Sequence, residues 1–152
     1  MAALFEAQDG MPTVWSSYVT GESADATAAR ATELGGTLLM EPFDVMEAGR
    51  MTVLQDPTGA VLSAWEPRAS IGAHFVNGPG ALTLNQLNTG DPEAAQRFYS
   101  ELFGWRTEEQ IDRSGAGQPA PSRTAGGEQQ YWGIYLDDRL NGGMMPMPAG
   151  MD

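Results

Sequence analysis

The chain has 152 residues, and its 20 Asp and Glu against eight Arg and no Lys give a formal net charge of −12. Without Lys or Cys it has no Schiff-base or phosphate-loop lysine, no thiol nucleophile, no disulfide and no Cys-ligated zinc or iron–sulfur centre. One His cannot build a multi-histidine metal site, and the acidic balance repels nucleic-acid phosphates and anionic membranes.

In chain order, residues 2–7 read as a strand without a module of its own. Residues 13–20, rich in aromatic and β-branched types, read as the next strand. An Ala-rich helical segment follows, with Ser23 or Glu22 as its cap and Gly35 in the left-handed position at its end. Strands are then expected at 37–40, 50–55 and 60–66, the last two joined by the turn Asp56-Pro57-Thr58-Gly59. Residues 68–80, with Gly72, Gly78, Pro79 and Gly80, read as a linker. A strand at 81–88 leads to a second helix with Asp91 as N-cap, Pro92 at its first position and Glu93 at the positive end of its dipole. Ala95, Phe98 and Leu102 form its apolar stripe, flanked by Ala94 and Tyr99. Strands follow at 105–110, 129–136 and 140–145, with Asp137-Asp138-Arg139 as a turn. Residues 114–127 read as a loop, and the Met-rich end as gap-filling or loose chain.

The two helical segments are a repeat. Thr20-Gly21 and Thr89-Gly90 open them, Leu34-Gly35 and Phe103-Gly104 close them, and both pairs of landmarks lie 69 residues apart. The reading is α+β: two βαβββ modules, at 13–67 and 81–146, forming a curved mixed sheet. A lead-in at 1–12 and a tail at 147–152 flank them.

Two such halves resemble the vicinal oxygen chelate superfamily, which includes glyoxalase I, bleomycin-resistance proteins and extradiol dioxygenases. Asp91-Pro92-Glu93-Ala94-Ala95, Phe98-Tyr99 and Leu102-Phe103-Gly104-Trp105 are similar to the family's first-helix pattern. Gly49-Arg50-Met51 and Asp56-Pro57-Thr58-Gly59-Ala60 are similar to its closing hairpin. The resemblance spans most of the chain and is nearest to two-domain actinobacterial glyoxalase-like proteins. Start and end fall at equivalent points of the repeat, as in a fragment of a longer protein or a permuted domain. The halves then pair within one chain or across a homodimer, by swapping as one route.

The resemblance implies one metal ligand from the first strand and one from the last strand of each half. Those positions fall on Ser16 and Leu84, and on Ser63 and Gly143. None is His, Asp or Glu, so the expectation is no metal and no cofactor.

Strand alternation puts Ser16, Tyr18 and Thr20 with Val61, Ser63 and Trp65 on the concave side of the first half. Leu84, Gln86 and Asn88 take that side in the second, and Trp132 and Tyr135 are further aromatic candidates. The ligand-binding set is therefore Ser16, Tyr18, Ser63, Trp65, Gln86, Asn88 and Trp132, an aromatic cup with neutral polar groups. It suits a small aromatic or cationic ligand. The plainer alternative makes Tyr18 and Trp65 ordinary core aromatics. His74 reads as a solvated linker residue, Glu108, Glu109 and Asp112 as a solvated charge run, and Tyr99 as core. Two other readings stay open: a metal enzyme of glyoxalase or dioxygenase type using donors such as Glu66, Glu41 or Asp44, and an inactive fragment of a two-domain parent. Expected partners are a small molecule and a second copy, with no nucleic acid and no membrane, and the expected location is the cytoplasm.

Overall fold

Both helices start and stop where their sequences direct. The structure, a computed structural model, describes residues 14–110 and 130–147. The expected strand at 2–7, the loop at 114–127, Asp112 and residues 148–152 lie outside them. Helix α1 (Ala24–Glu33) is capped by Ser23, whose hydroxyl accepts the Ala26 amide at 3.2 Å. At its end Gly35 takes φ 87°. The amides of Gly35 and Gly36 then reach back to the carbonyls of Thr32 and Ala31, at 3.1 and 2.9 Å, which satisfies carbonyls the last turn would otherwise leave open. Helix α2 (Pro92–Phe103) is capped by Asp91 Oδ1 on the Ala94 amide at 3.0 Å and closed by Gly104 at φ 70°. Its buried face is Ala95, Phe98 and Tyr99; Leu102 of the expected stripe is only half-buried.

The described residues form the strands β1 (Tyr18–Thr20), β2 (Thr37–Val45), β3 (Gly49–Gln55), β4 (Val61–Pro67), β5 (Asn85–Thr89), β6 (Arg106–Glu109), β7 (Trp132–Leu136) and β8 (Arg139–Pro146). They make two four-stranded mixed sheets, ordered β1-β4-β3-β2 and β5-β8-β7-β6. In each, the strand before the helix pairs in parallel with the last strand, and the other pairs are antiparallel. The described residues divide into two compact units, one per sheet: the first holds residues up to Asp56 and Val61–Thr83, the second Pro57–Ala60 and the residues from Leu84 on. Each unit is the expected βαβββ module with its own sheet.

Element lengths differ from the sequence reading for identifiable reasons. Strand β1 has three residues, and just ahead of it the Ser17 carbonyl accepts the Ser63 amide at 2.9 Å. Strand β2 runs on past Met40 through Glu41 and Pro42. It is an edge strand, where a proline is tolerated, and shifts of register between Leu38 and Met40 and between Met40 and Phe43 absorb the irregularity. The buried Thr52 hydroxyl donates to the Met40 carbonyl at 2.7 Å at that point. Arg139 belongs to β8, because the turn closes on Asp137 at φ 51° with Leu136 and Arg139 already paired. The first residues of the expected linker are not a free tether. The amides of Arg68 and Ser70 donate to the Ala48 carbonyl and that of Ala69 to Glu47, at 3.0–3.1 Å.

Each helix covers one face of its own sheet. In the first unit, small residues (Ala24, Ala28 and Ala31) let α1 approach buried Leu54, Leu62 and Ala64. In the second, Ala95 and Phe98 of α2 are buried with Ile134 and Met144. The opposite faces of the sheets carry the candidate site residues.

Candidate functional site

Partners in register project from the same side of a sheet. In the first unit Tyr18 is paired with Ser63 and Thr20 with Trp65; Trp65 is in turn paired with Met51, and Met51 with Phe43. The face away from α1 therefore carries Tyr18, Ser63, Trp65, Met51 and Phe43. Tyr18 meets Trp65 edge-on, with ring centroids 6.3 Å apart at 79°, a favoured arrangement for the two quadrupoles. The indole is fixed on two further sides. Its Nε1–H donates to the Ser70 carbonyl at 3.0 Å, and its ring lies against Gly49, where an added Cβ would sit 2.5 Å from Cζ2. Tyr18 remains 47% exposed and Phe43 36%, so the aromatic surface is accessible within this unit. Ser63 is buried beneath it. Ser16 lies exposed ahead of β1.

In the second unit Gln86 is paired with Gly143 and Asn88 with Met145. The Gln86 Nε2 donates to Asn88 Oδ1 at 2.9 Å and lies 2.9 Å from Met145 Sδ, so the two amides share one face. Trp132 is not on it. Register pairs Trp132 with buried Met144, whose side chain alternates to the helix side, so Trp132 does not share the face of Gln86 and Asn88. The aromatics on the amide side are Tyr135, a candidate from sequence, and Tyr131, which the sequence reading did not single out. Tyr131 covers Gly143: a Cβ there would fall 3.0 Å from Tyr131 Cε2 and closer still to the hydroxyl. Tyr135 packs over Gly133, which is paired with Gly143, and carries Arg106 above its ring at 5.0 Å. Burial pushes the Tyr131 phenol above its ordinary pKa of 10.0. A strand glycine often marks such a close approach, and the Gly142-Gly143 pair was the available signal for Tyr131.

The metal centre that the resemblance implies does not fit these residues. Ser16, Ser63 and Leu84 bring no carboxylate or imidazole, and the space where a side chain at position 143 would project is filled by the Tyr131 ring. Among the described residues no three His, Asp or Glu side chains stand together as possible metal donors. Two of the alternative donors are engaged elsewhere. Glu66 Oε2 accepts the Ala24 amide at the start of α1 at 3.0 Å. Asp44 Oδ1 accepts from Arg50 and Arg68, both at 3.0 Å, while Arg50 also grips Asp25 at 2.6 and 3.0 Å. These hydrogen bonds hold the Asp25 and Asp44 carboxyls below their ordinary 3.8 and raise Arg50. Glu41 is exposed.

The remaining candidates take plain structural places. His74 is exposed. Glu108 pairs with Arg106, and Glu109 is exposed. Tyr99 is buried and stacks on Trp105 at 5.4 Å and 15°. No described helix is long and apolar enough to cross a membrane.

No family model matches the chain. It is similar to a putative glyoxylase, CFP32, of Mycobacterium tuberculosis, with 39% identity over 98 residues that make up 64% of this chain and 38% of the relative. It is also similar to the anthracycline biosynthesis protein DauV of Streptomyces sp. strain C5, with 37% identity over 97 residues, 64% of this chain and 35% of the relative. The match spans little more than a third of the length of these curated relatives. Among solved structures, BphC, a halotolerant catechol dioxygenase, aligns with TM-score 0.54 and 14% identity over 85% of this chain and 44% of its own. A glyoxylase/bleomycin resistance protein/dioxygenase domain from Frankia sp. EAN1pec aligns with TM-score 0.50 and 13% identity over 93% of this chain and 96% of its own. At such identities the two structures speak for the fold alone.

Proposed function

We propose that this chain, similar in sequence to a putative glyoxylase and in fold to a glyoxylase/bleomycin resistance protein/dioxygenase domain, is a member of the vicinal oxygen chelate superfamily that binds a planar aromatic small molecule, neutral or cationic, on the open face of a sheet and without a metal centre. The observation that carries this reading is the Tyr18–Trp65 pair: two accessible aromatic rings, one of them held by the Ser70 carbonyl and the Gly49 backbone. A fixed indole offers a stacking surface at little further entropic cost on binding. The net charge of −12 favours cations at long range. Similarity to a protein of anthracycline biosynthesis supports a fused-ring aromatic ligand.

Titration calorimetry with neutral, cationic and anionic fused-ring aromatics tests the reading. Neutral or cationic compounds are expected to bind and to quench tryptophan emission, and Trp65→Leu to weaken them about tenfold, the worth of one aromatic contact. Binding of none of them, unchanged affinity in Trp65→Leu, or stoichiometric Zn, Ni, Fe or Mn in protein purified without chelator would overturn it.

A further inference from the structure

Four asparagines occur in the chain, and two of them, Asn77 and Asn141, precede a glycine. In an Asn-Gly pair the glycine nitrogen, with no side chain beside it, can reach the amide carbon of the asparagine, the chemistry that makes asparagine a thermolabile residue. Both asparagines are exposed, so access does not separate them; the backbone does. Gly142 lies in β8 with a register partner on each side, Asn85 of β5 and Ile134 of β7, and a Cβ there would sit 2.8 Å from the Asn85 carbonyl oxygen. Its main chain is held by two strands. Asn77 and Gly78 lie in no helix or strand. Asn77 takes φ 57°, a left-handed conformation that asparagine tolerates. The turn it opens is closed by the Asn77 amide on the Leu82 carbonyl at 2.8 Å and the Ala81 amide on the Gly78 carbonyl at 3.0 Å. Position 78 must be glycine, because a Cβ there would enter the Phe75 ring. The packing of Phe75 therefore requires the one residue type that leaves Asn77 open to attack. No Asp, Glu, Lys or Arg occurs from Ala69 to Gly90, so no carboxylate close in sequence opposes loss of the Gly78 amide proton.

We propose that Asn77 is a site of deamidation and isomerisation, and that β8 protects Asn141 from the same reaction. The deprotonated Gly78 nitrogen attacks Asn77 Cγ, the Cγ–Nδ2 bond breaks, and Nδ2 leaves as ammonia with the proton that the Gly78 nitrogen gave up. The product is a five-membered succinimide, which water opens at one of its two carbonyl carbons. Opening at Cγ leaves aspartate. Opening at the main-chain carbonyl carbon leaves isoaspartate, with the chain running through Cβ and one methylene longer. Nothing is oxidised or reduced, and water is the sole co-reactant. Either product brings a carboxylate into a segment that had none. The isoaspartyl product also lengthens the chain inside the turn from Asn77 to Leu82, whose closing hydrogen bonds then no longer match.

The test follows both asparagines in one experiment. The full chain is kept in warm, mildly alkaline heavy-oxygen water, with circular dichroism to show that it stays folded, and is then cut with trypsin. Cleavage after Arg68, Arg97 and Arg139 puts Asn77 and Asn141 on separate peptides. Mass spectrometry reads the heavy oxygen in each new carboxylate, and a carboxyl methyltransferase specific for isoaspartate marks that isomer. Asn77 is expected to react at least about tenfold faster than Asn141, the ratio that about 1.4 kcal/mol of strand opening gives, and to yield isoaspartate. In guanidinium chloride, where β8 is gone, the two rates should come within about threefold. An Asn141 that keeps pace with Asn77 in the folded chain, an Asn77 that stays unlabelled, or a tenfold difference that persists in denaturant overturns the proposal.

Discussion

Replacing Gly49 by alanine puts one methyl group where the first unit has no room for it. The new Cβ would lie 2.5 Å from the Glu66 carbonyl oxygen and 2.5 Å from Trp65 Cζ2. The carbonyl belongs to the β3–β4 ladder and cannot turn aside. The indole can, but only by giving up its bond to the Ser70 carbonyl and its edge contact with Tyr18. These are worth about 0.5–1.5 kcal/mol each, and residual crowding of a packed site adds about 1–3 kcal/mol. The expected loss of stability is therefore about 3 kcal/mol, with a red shift of tryptophan emission as the indole is released. Urea denaturation followed by far-ultraviolet circular dichroism measures it. Gly90→Ala is the control, since a Cβ there meets nothing within 4 Å, and it should stay within about 0.5 kcal/mol of the parent. A Gly49→Ala protein with the parent's midpoint and emission would refute the account of how Trp65 is held.

Three further outcomes follow from the packing and charges. Leu54→Ala, at a fully buried position, should cost about 2–5 kcal/mol in the same assay, while Val61→Ala at a 54% exposed position should change stability little. Glu66→Ala should cost about 1 kcal/mol by freeing the first amide of α1, and Ser23→Ala about as much; additive losses in the double variant would mean that the two caps act independently. Asp25 and Asp44 have lowered pKa values in the folded chain, chiefly through hydrogen bonds from Arg50. Their contribution is complete above the ordinary carboxylate range and is lost as pH falls through the lowered values. The parent's advantage over Arg50→Gln should accordingly shrink below about pH 4, and an advantage unchanged at about pH 2 would contradict it.

Much of this architecture was legible because the signals were local. Ser23, Asp91, Pro92, Gly35 and Gly104 each fix a helix end by a bond or a backbone angle within a few residues, and the duplicated spacing set the order of elements. What was hidden depends on partners distant in sequence. The length of β2 is set by how β3 tolerates its irregular register, which Glu41-Pro42 conceals. The side on which Trp132 projects is set by its pairing with Met144, and a shift of one residue reverses it. Tyr131 looked like ordinary strand sequence, and only the missing side chain at Gly143, one strand over, gives it a place. Glu66 showed the same limit: as a lone carboxylate on a strand it read as a possible metal donor, yet its partner is a helix amide.

The parallel pairing of each opening strand with the last one has a consequence for the order in which a unit assembles. Strands β2, β3 and β4 are successive hairpins and can zip together from nearby chain. Tyr18 must find Ser63, and the first amide of α1 must find Glu66, 42 residues further on. Closing so long a loop is entropically unfavourable until the hairpins already exist. During synthesis this strand therefore leaves the ribosome well before β4, its lateral neighbour among the described residues.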